Sequence, residues 1–269
     1  MGFVNVKRGL IIAGLLVIVA TSIASASPAR PDHAKGAIDK LKTHTKIRLM
    51  TYNIRHGKGE DGKVNLERIA DTIRDSGADV VALQEVDRFF PRSGMTDEVA
   101  HLAALLNMES AFSPSLDLIV GQYGNAVLSR YPIVSRDVKF LSSPKERRSL
   151  LTVVVQVGKN RFTVHNTHLG LSGEEREHQM GVIVKVLSES QGPAVLVGDM
   201  NMRPGNALFS LLPQTFRRVA LPAGSVTFHG GGEIDAIFAN VPTVDGRVGW
   251  VVESDGSDHD AVVADLSLE

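Results

Sequence analysis

Ser257-Asp258-His259-Asp260-Ala261 stands just ahead of the last apolar run of the chain and sets a carboxylate beside an imidazole. Three other polar groups close apolar runs in the same way. They are Asn53 in Thr51-Tyr52-Asn53, Glu85 in Leu83-Gln84-Glu85-Val86-Asp87, and the Asp199/Asn201 pair in Gly198-Asp199-Met200-Asn201. Strand ends are where a sheet delivers side chains to a shared cleft. Oxygen donors from Glu, Asp and Asn suit a hard cation, Mg²⁺ first and Mn²⁺ or Ca²⁺ as alternatives, better than zinc. An acid–base pair beside such an ion is the equipment of metal-assisted phosphoester hydrolysis.

Each residue also has an ordinary reading. A carboxylate is costly to bury unless paired or metal-bound, so Glu85 after an apolar run marks a site; the alternative is an exposed residue just past the strand, next to Asp87 and Arg88. Asp199 and Asn201, two apart, point the same way in extended backbone, and Gly198 permits a close approach; the alternative is a turn. Asn166 and His168 share a strand face with Phe162 and Val164, while His165 and Thr167 face the other way. His168, at the strand's very end, is the candidate, and His165 is read as structural. Asp258 and His259 are neighbours and point oppositely on a strand, so a different acid is needed to orient His259. Asp235, following Gly230-Gly231-Gly232-Glu233-Ile234, is that candidate. A histidine so held exchanges a proton near neutral pH. His101 and His178 are expected on solvated helix faces, and His56 and His229 in glycine-bearing loops. H-E-x-x-H, G-x-S-x-G and Walker A motifs are absent, which removes the commonest zinc protease, serine hydrolase and nucleotide-binding signatures.

The elements that must position these groups follow from periodicity. Ile47–Asn53 and Asp79–Val86 read as strands, the second apolar throughout and so buried on both faces. Between them, Leu66, Ile69, Ala70 and Ile73 mark a helix capped by Asn65 and stopped by Gly77. Thr96 is expected to cap a second helix carrying Val99, Leu102, Ala103 and Leu106. Asn125–Ser129 reads as a short strand. Leu150–Val157 and Arg161–His168 form a hairpin around Gly158-Lys159-Asn160. Ser172 and Glu175 make a capping box for a helix with Met180, Ile183, Val184 and Leu187. Ala194–Asp199, a short helix over 206–211, and strands at 234–239, 247–252 and 261–268 complete the chain. Paired strands separated by helices predict an α+β fold of two packed sheets flanked by helices. A doubly wound sheet would need strict alternation.

The beginning of the sequence carries Lys7 and Arg8, an uncharged run from Leu10 to Ala24, and Ala24-Ser25-Ala26. This pattern predicts a signal peptide over residues 1–26, with an uncleaved anchor as the alternative, and hence a secreted or extracytoplasmic protein. Residues 27–46 read as a flexible leader and 47–269 as one domain. Removing residues 1–26 takes Lys7 and Arg8 from a formal charge of −1 and leaves −3. Such a chain has no global attraction for nucleic acid, despite local basic spots at Lys145, Arg147, Arg148 and at Arg217, Arg218. Aromatics are only 5% of residues, and no aromatic–basic platform is evident. There is no cysteine, so thiol nucleophiles, thiolate zinc sites and disulfides are excluded.

T-Y-N-I-R-H-G, L-Q-E-V-D, G-N-A-V-L-S-R-Y-P-I, N-T-H-L, G-D-M-N, I-D-A-I-F and S-D-H-D-A-V occur in that order. The series resembles the endonuclease/exonuclease/phosphatase superfamily, the deoxyribonuclease-I-like fold, over about residues 47–266. The resemblance implies a four-layer α/β/β/α sandwich. It further implies metal-site roles for Asn53, Glu85 and Asp258. His168 would then contact phosphate or assist the leaving group, Asp199 and Asn201 would position or deprotonate water, and Asp235 would orient His259. Asn125 and Arg148 match weaker positions, as substrate contacts. The opening motif also looks like branches labelled generic metal-dependent hydrolase and the hydrolase-like part of glycolipid-anchor remodelling proteins. The expected substrate is therefore a small or lipid-linked phosphodiester, with peripheral membrane contact and no protein partner indicated. A secreted nuclease acting on nucleic acid and a membrane-tethered binding protein without turnover are the alternatives.

Overall fold

The computed structural model describes residues 45–144 and 146–268. The expected signal segment, most of the leader, His33, His44 and Lys145 lie outside the described residues. Twelve strands among the described residues form two six-stranded sheets. The first contains β1 (Thr45–Asn53), β2 (Val80–Arg88), β3 (Glu109–Leu118), β4 (Gly121–Ser129), β11 (Trp250–Val252) and β12 (Ala261–Leu268), in the order β11-β12-β1-β2-β4-β3. The second contains β5 (Ile133–Leu141), β6 (Arg148–Val157), β7 (Asn160–His168), β8 (Ala194–Asp199), β9 (Arg217–Arg218) and β10 (Asp235–Ala239), in the order β5-β6-β7-β8-β10-β9. β1 pairs parallel with β2 and β7 with β8; the other pairings are antiparallel.

Strand alternation builds three cores. Leu49, Ala82 and Val127 from the first sheet meet Val153, Phe162, Val164 and Val197 from the second. The alternate residues of the first sheet, including Met50, Tyr52, Val81 and Leu83, face outward onto α1 (Leu66–Ser76) and α2 (Glu98–Leu106) through Ile69, Ile73 and Leu102. On the far side, Leu150, Leu196 and Phe238 take Met180, Ile183 and Leu187 of α3 (Gly173–Glu189). The result is an α/β/β/α sandwich. Central strands are covered on both faces, which is why they read as unbroken apolar runs.

The helix signals act as their chemistry dictates. Asn65 accepts from Arg68 N, Gly77 ends α1 at φ 68°, and Ser172 with Glu175 forms the reciprocal capping box of α3. Four expectations need correction. The cap of α2 is Asp97, whose side chain accepts from Ala100 N, and not Thr96. The 206–211 segment is a 3-10 turn, Ala207–Leu211, and the strand near 247 shortens to Trp250–Val252. β4 begins at Gly121 rather than Asn125. β3 and β5 were not expected: β3 carries Pro114 beside a bulge, and most of β5 is exposed, so neither shows an apolar run.

Candidate active site

Six strands deliver polar side chains to one edge of the sandwich. Asn53, His168 and Asp199 end β1, β7 and β8. Asp235 opens β10 directly opposite Asp199, because β10 runs antiparallel to β8. His259 precedes β12, which is antiparallel to β1. Glu85 does not end its strand: β2 continues to Arg88, and Glu85 sits at φ 58° in a bulge between Leu83 and Val86. A bulge re-aims one side chain, and this one sends Glu85 to the cleft. Gly198 is required by close approach, since a Cβ there would lie 1.8 Å from Thr167 O. Asp199 and Asn201 are not related by extended backbone. Asn201 has φ 47°, its N–H donates to Asp199 Oδ1 at 2.9 Å, and its side-chain amide donates to Leu169 O at 2.9 Å. The pair is a turn whose two side chains both line the cleft.

Asn53 and Asp199 are the hub. The Asn53 amide donates to Glu85 Oε1 at 3.0 Å and to Asp199 Oδ2 at 3.1 Å, and its oxygen accepts from Arg55 N at 3.1 Å. His168 Nε2 lies 3.4 Å and His259 Nε2 3.8 Å from the same Asp199 Oδ2. His259 Nδ1 is 2.9 Å from Asp235 Oδ2, which fixes the ring. Ser257, unforeseen in the sequence, ties two parts together. Its hydroxyl donates to Asn53 O at 2.7 Å and accepts from His259 N at 3.2 Å. The Phe228 ring lies against His259, with centroids 4.8 Å apart. Asp258 pairs with Arg55, Nε to Oδ2 at 3.3 Å. Beneath the site, Asn166 donates to Leu83 O and Ala126 O and accepts from Gln84 Nε2, linking the two sheets.

Burial and mutual charge separate the protonation states. Burial, joined by the nearby Asp235 charge, raises the Asp199 carboxyl well above its usual range. Burial opposes charge on His259, but Asp235, through its charge and hydrogen bond, together with Asp199 outweighs it and pushes the imidazole up to about 9. His168 is driven the other way by burial, Arg148 and His259, and stays neutral. Burial also raises Glu85. At neutral pH the cluster therefore contains one protonated imidazole, one neutral imidazole and a carboxylate with raised proton affinity.

Glu85, Arg148, His168, Asp199, Asn201, Asp258 and His259 line one cleft of about 710 Å³, with Asn53 and Asp235 beneath its floor. Arg148 is buried and pairs with Glu146 Oε1 at 2.8 Å. Asn125 is different: it is buried, and its amide donates to Ser149 O at 3.1 Å, joining β4 to β6. His165 contacts Thr152 and Ser190 away from the cleft. Phe90, Arg92 and Tyr123 form a cleft wall that the sequence did not disclose. The Arg92 guanidinium is held by Asp87 and lies 5.3 Å and 5.4 Å from the centroids of the Phe90 and Tyr123 rings. An aromatic–basic surface thus exists, contrary to the sequence reading, because its parts come from separate segments.

Two groups of donors could hold a cation. Asp199, Asp235 and His259 bring ligand atoms within 4.8 Å of one another. All three are buried, and Asp235 Oδ2 already faces His259 Nδ1, so this group is organised to hold protons. Glu85 and Asp258 instead open to the cleft. Among the described residues Asn53 is the sole hydrogen-bond donor to the Glu85 carboxylate, which leaves its second oxygen available. Carboxylate oxygens at a solvent-open cleft fit a hard divalent cation, whereas the expected ligand Asn53 turns its oxygen to Arg55 N and its amide N–H groups to Glu85 and Asp199, and so positions Glu85 instead.

Residues 50–259 match the model of the Endonuclease/Exonuclease/phosphatase family. An uncharacterized protein of Escherichia coli strain K12, YbhP, is 28% identical over 168 residues, or 58% of this chain and 66% of that protein, just under two thirds of its length. The crystal structure of an endonuclease/exonuclease/phosphatase from Beutenbergia cavernae is 29% identical with a TM-score of 0.69, covering 83% of this chain and 72% of that one. That of a Bacteroides vulgatus protein of the same description, 21% identical, shares the fold with a TM-score of 0.70, covering 84% of this chain and 100% of that one. Because the family match runs from β1 through the terminal histidine of the cleft, the chain belongs to the endonuclease/exonuclease/phosphatase family and carries its hydrolase fold.

Proposed function

We propose that this chain is an exported, Mg²⁺-dependent phosphodiesterase acting on small or lipid-linked phosphodiesters outside the cytoplasm. The observation that carries the reading is Asp199: a buried carboxylate of raised proton affinity whose Oδ2 meets Asn53, His168 and His259 at the floor of an open cleft. Glu85 and Asp258 would hold the cation, with the Asn53 amide orienting the Glu85 carboxylate. When bound, it supplies Lewis acidity toward a phosphoryl oxygen. Asp199 accepts a proton as water attacks phosphorus, and the new P–O bond forms as the ester P–O bond breaks. Protonated His259, held by Asp235, presents Nε2–H to the growing charge and gives that proton to the leaving ester oxygen. Neutral His168 and Asn201 complete the donors around it.

Hydrolysis of bis-(p-nitrophenyl) phosphate that EDTA abolishes and Mg²⁺ restores is the expected result. Asp199→Ala and His259→Ala should each lower turnover by a hundredfold or more with an unchanged circular dichroism spectrum, in line with the roughly 10²–10⁴ contribution of a general base or acid. Wild-type-like rates in His259→Ala would refute the site. Plasmid nicking without hydrolysis in a phospholipid panel would move the assignment to a secreted nuclease. No hydrolysis of any phosphodiester would leave a non-catalytic binding protein.

A further inference from the structure

β3 and β4 are joined by a two-residue turn, Ile119–Val120, closed by the pair Leu118–Gly121. Turns of this length normally take Gly, Asn or Asp. Here the tip is Leu118-Ile119-Val120; Ile119 is fully exposed, and its neighbours are 51% and 52% exposed. Neither turn residue has positive φ, so no backbone requirement selects β-branched side chains at this place. The tip also does not stand apart from the site. A Cβ on Gly121 would lie 2.8 Å from Arg88 O and 2.9 Å from Phe90 N, so the base of the hairpin rests on the Arg88–Phe90 segment. Phe89 of that segment is exposed, whereas Phe90, Leu116 and Leu118 line the catalytic cleft. An apolar tip therefore forms the lip of the active site.

We infer that this hairpin tip inserts into the surface of a lipid bilayer and presents the cleft to phosphodiesters held there. A few side chains on a narrow turn fall far short of the roughly 800 Å² per partner of a stable protein interface, but inserting them is sufficient for an interfacial contact. The two cations beside the tip are neutralised: Arg88 by Asp97, and Arg92 by the buried Asp87. Attachment through this tip is accordingly apolar, independent of anionic lipid and resistant to salt. The inference deepens the phosphodiesterase reading by naming where its substrate resides.

The absence of cysteine allows a direct test. Ile119→Cys in the full chain, labelled with an environment-sensitive fluorophore, should shift to shorter wavelength on adding phosphatidylcholine vesicles. It should also be quenched by nitroxide-bearing lipid, in low and high salt alike. The same label at Lys159→Cys, in the exposed β6–β7 turn at the opposite end of β7 from His168, should report only water. In the catalytic arm, Ile119→Asp with Val120→Asp should cut hydrolysis of vesicle-borne phospholipid at least tenfold and leave bis-(p-nitrophenyl) phosphate hydrolysis unchanged. A label at 119 that stays in water with vesicles present overturns the inference, as does one already shielded in buffer, where a second copy or the chain's own segment covers the tip. Equal vesicle hydrolysis by the double variant overturns it too. Failure of the wild type on every phosphodiester refutes the phosphodiesterase reading instead, while the label still decides the bilayer contact.

Discussion

His168 and His259 crowd within 4 Å of one oxygen of Asp199, and the protonation of all three follows from who else is near. Asp235 is the controlling partner of His259. Its carboxylate holds the imidazolium and so keeps the proton on His259 until the pH passes about 9. A base of raised proton affinity is lost as pH falls through its own value, and an acid of raised value is lost as pH rises through its own. The rate profile should therefore be a bell whose acid limb lies above the ordinary carboxylate range and whose alkaline limb belongs to His259. Asp235→Asn should move the alkaline limb down toward the ordinary histidine range near pH 6.5 and narrow the bell. A pH–kcat/KM series on both proteins checks this; an unmoved alkaline limb would exclude His259 as the acid. Asp235, Asp199 and His259 were legible in sequence because each stands at a strand boundary inside a recognisable motif. Ser257 and Arg55 were passed over although they lie in the same motifs, since nothing in their spacing reveals that one hydroxyl bridges Asn53 and His259.

Among the elements, α2 carries an unexpected burden at its first residue. Glu98 is buried, its Oε2 accepts from Asp87 N at 2.8 Å, and its Oε1 has no partner. Burial raises its carboxyl from 4.5 to about 8, so the folded state holds a proton there that the unfolded chain releases. That contribution to stability is complete below about pH 4.5 and is lost as pH rises toward 8. Glu98→Gln keeps the acceptor and removes the titration. Its melting temperature should gain on the wild type as pH rises from 5 to 8, and parallel melting curves over that window would contradict the assignment. The helices themselves were readable from caps and stripes. The bulge that aims Glu85 was not, because the register shift exists only in the pairing of β2 with β4. β3 and β5 escaped for a related reason: an edge strand with a proline and a largely solvated strand carry little apolar signal.

For the molecule as a whole, the two sheets are coupled by polar as well as apolar contacts. Asn166 of β7 donates to the backbone oxygens of Leu83 and Ala126 across the sandwich, at 2.9 Å and 2.8 Å, and accepts from Gln84 at 2.7 Å. Removing it strands several buried groups, each costing about 1–3 kcal/mol. Asn166→Ala should lose at least about 2 kcal/mol in urea unfolding while the transition stays cooperative. A loss below about 0.5 kcal/mol would mean the link is dispensable. The layered architecture was legible because strands buried on both faces read as apolar runs and helices show a single stripe. The cleft wall of Phe90, Arg92 and Tyr123 was not, since tertiary structure alone brings those rings around one guanidinium.

In the proposed reaction the bulged Glu85, beside Asn53 and Asp199, holds a cation on which phosphodiester hydrolysis depends. The decisive comparison is the Mg²⁺ dependence of bis-(p-nitrophenyl) phosphate hydrolysis by wild type and Glu85→Gln. The wild type should show saturable Mg²⁺ activation, and the variant at least a tenfold higher half-saturating Mg²⁺ concentration. Hydrolysis that survives chelation, or identical Mg²⁺ curves for the two proteins, would contradict this role of Glu85.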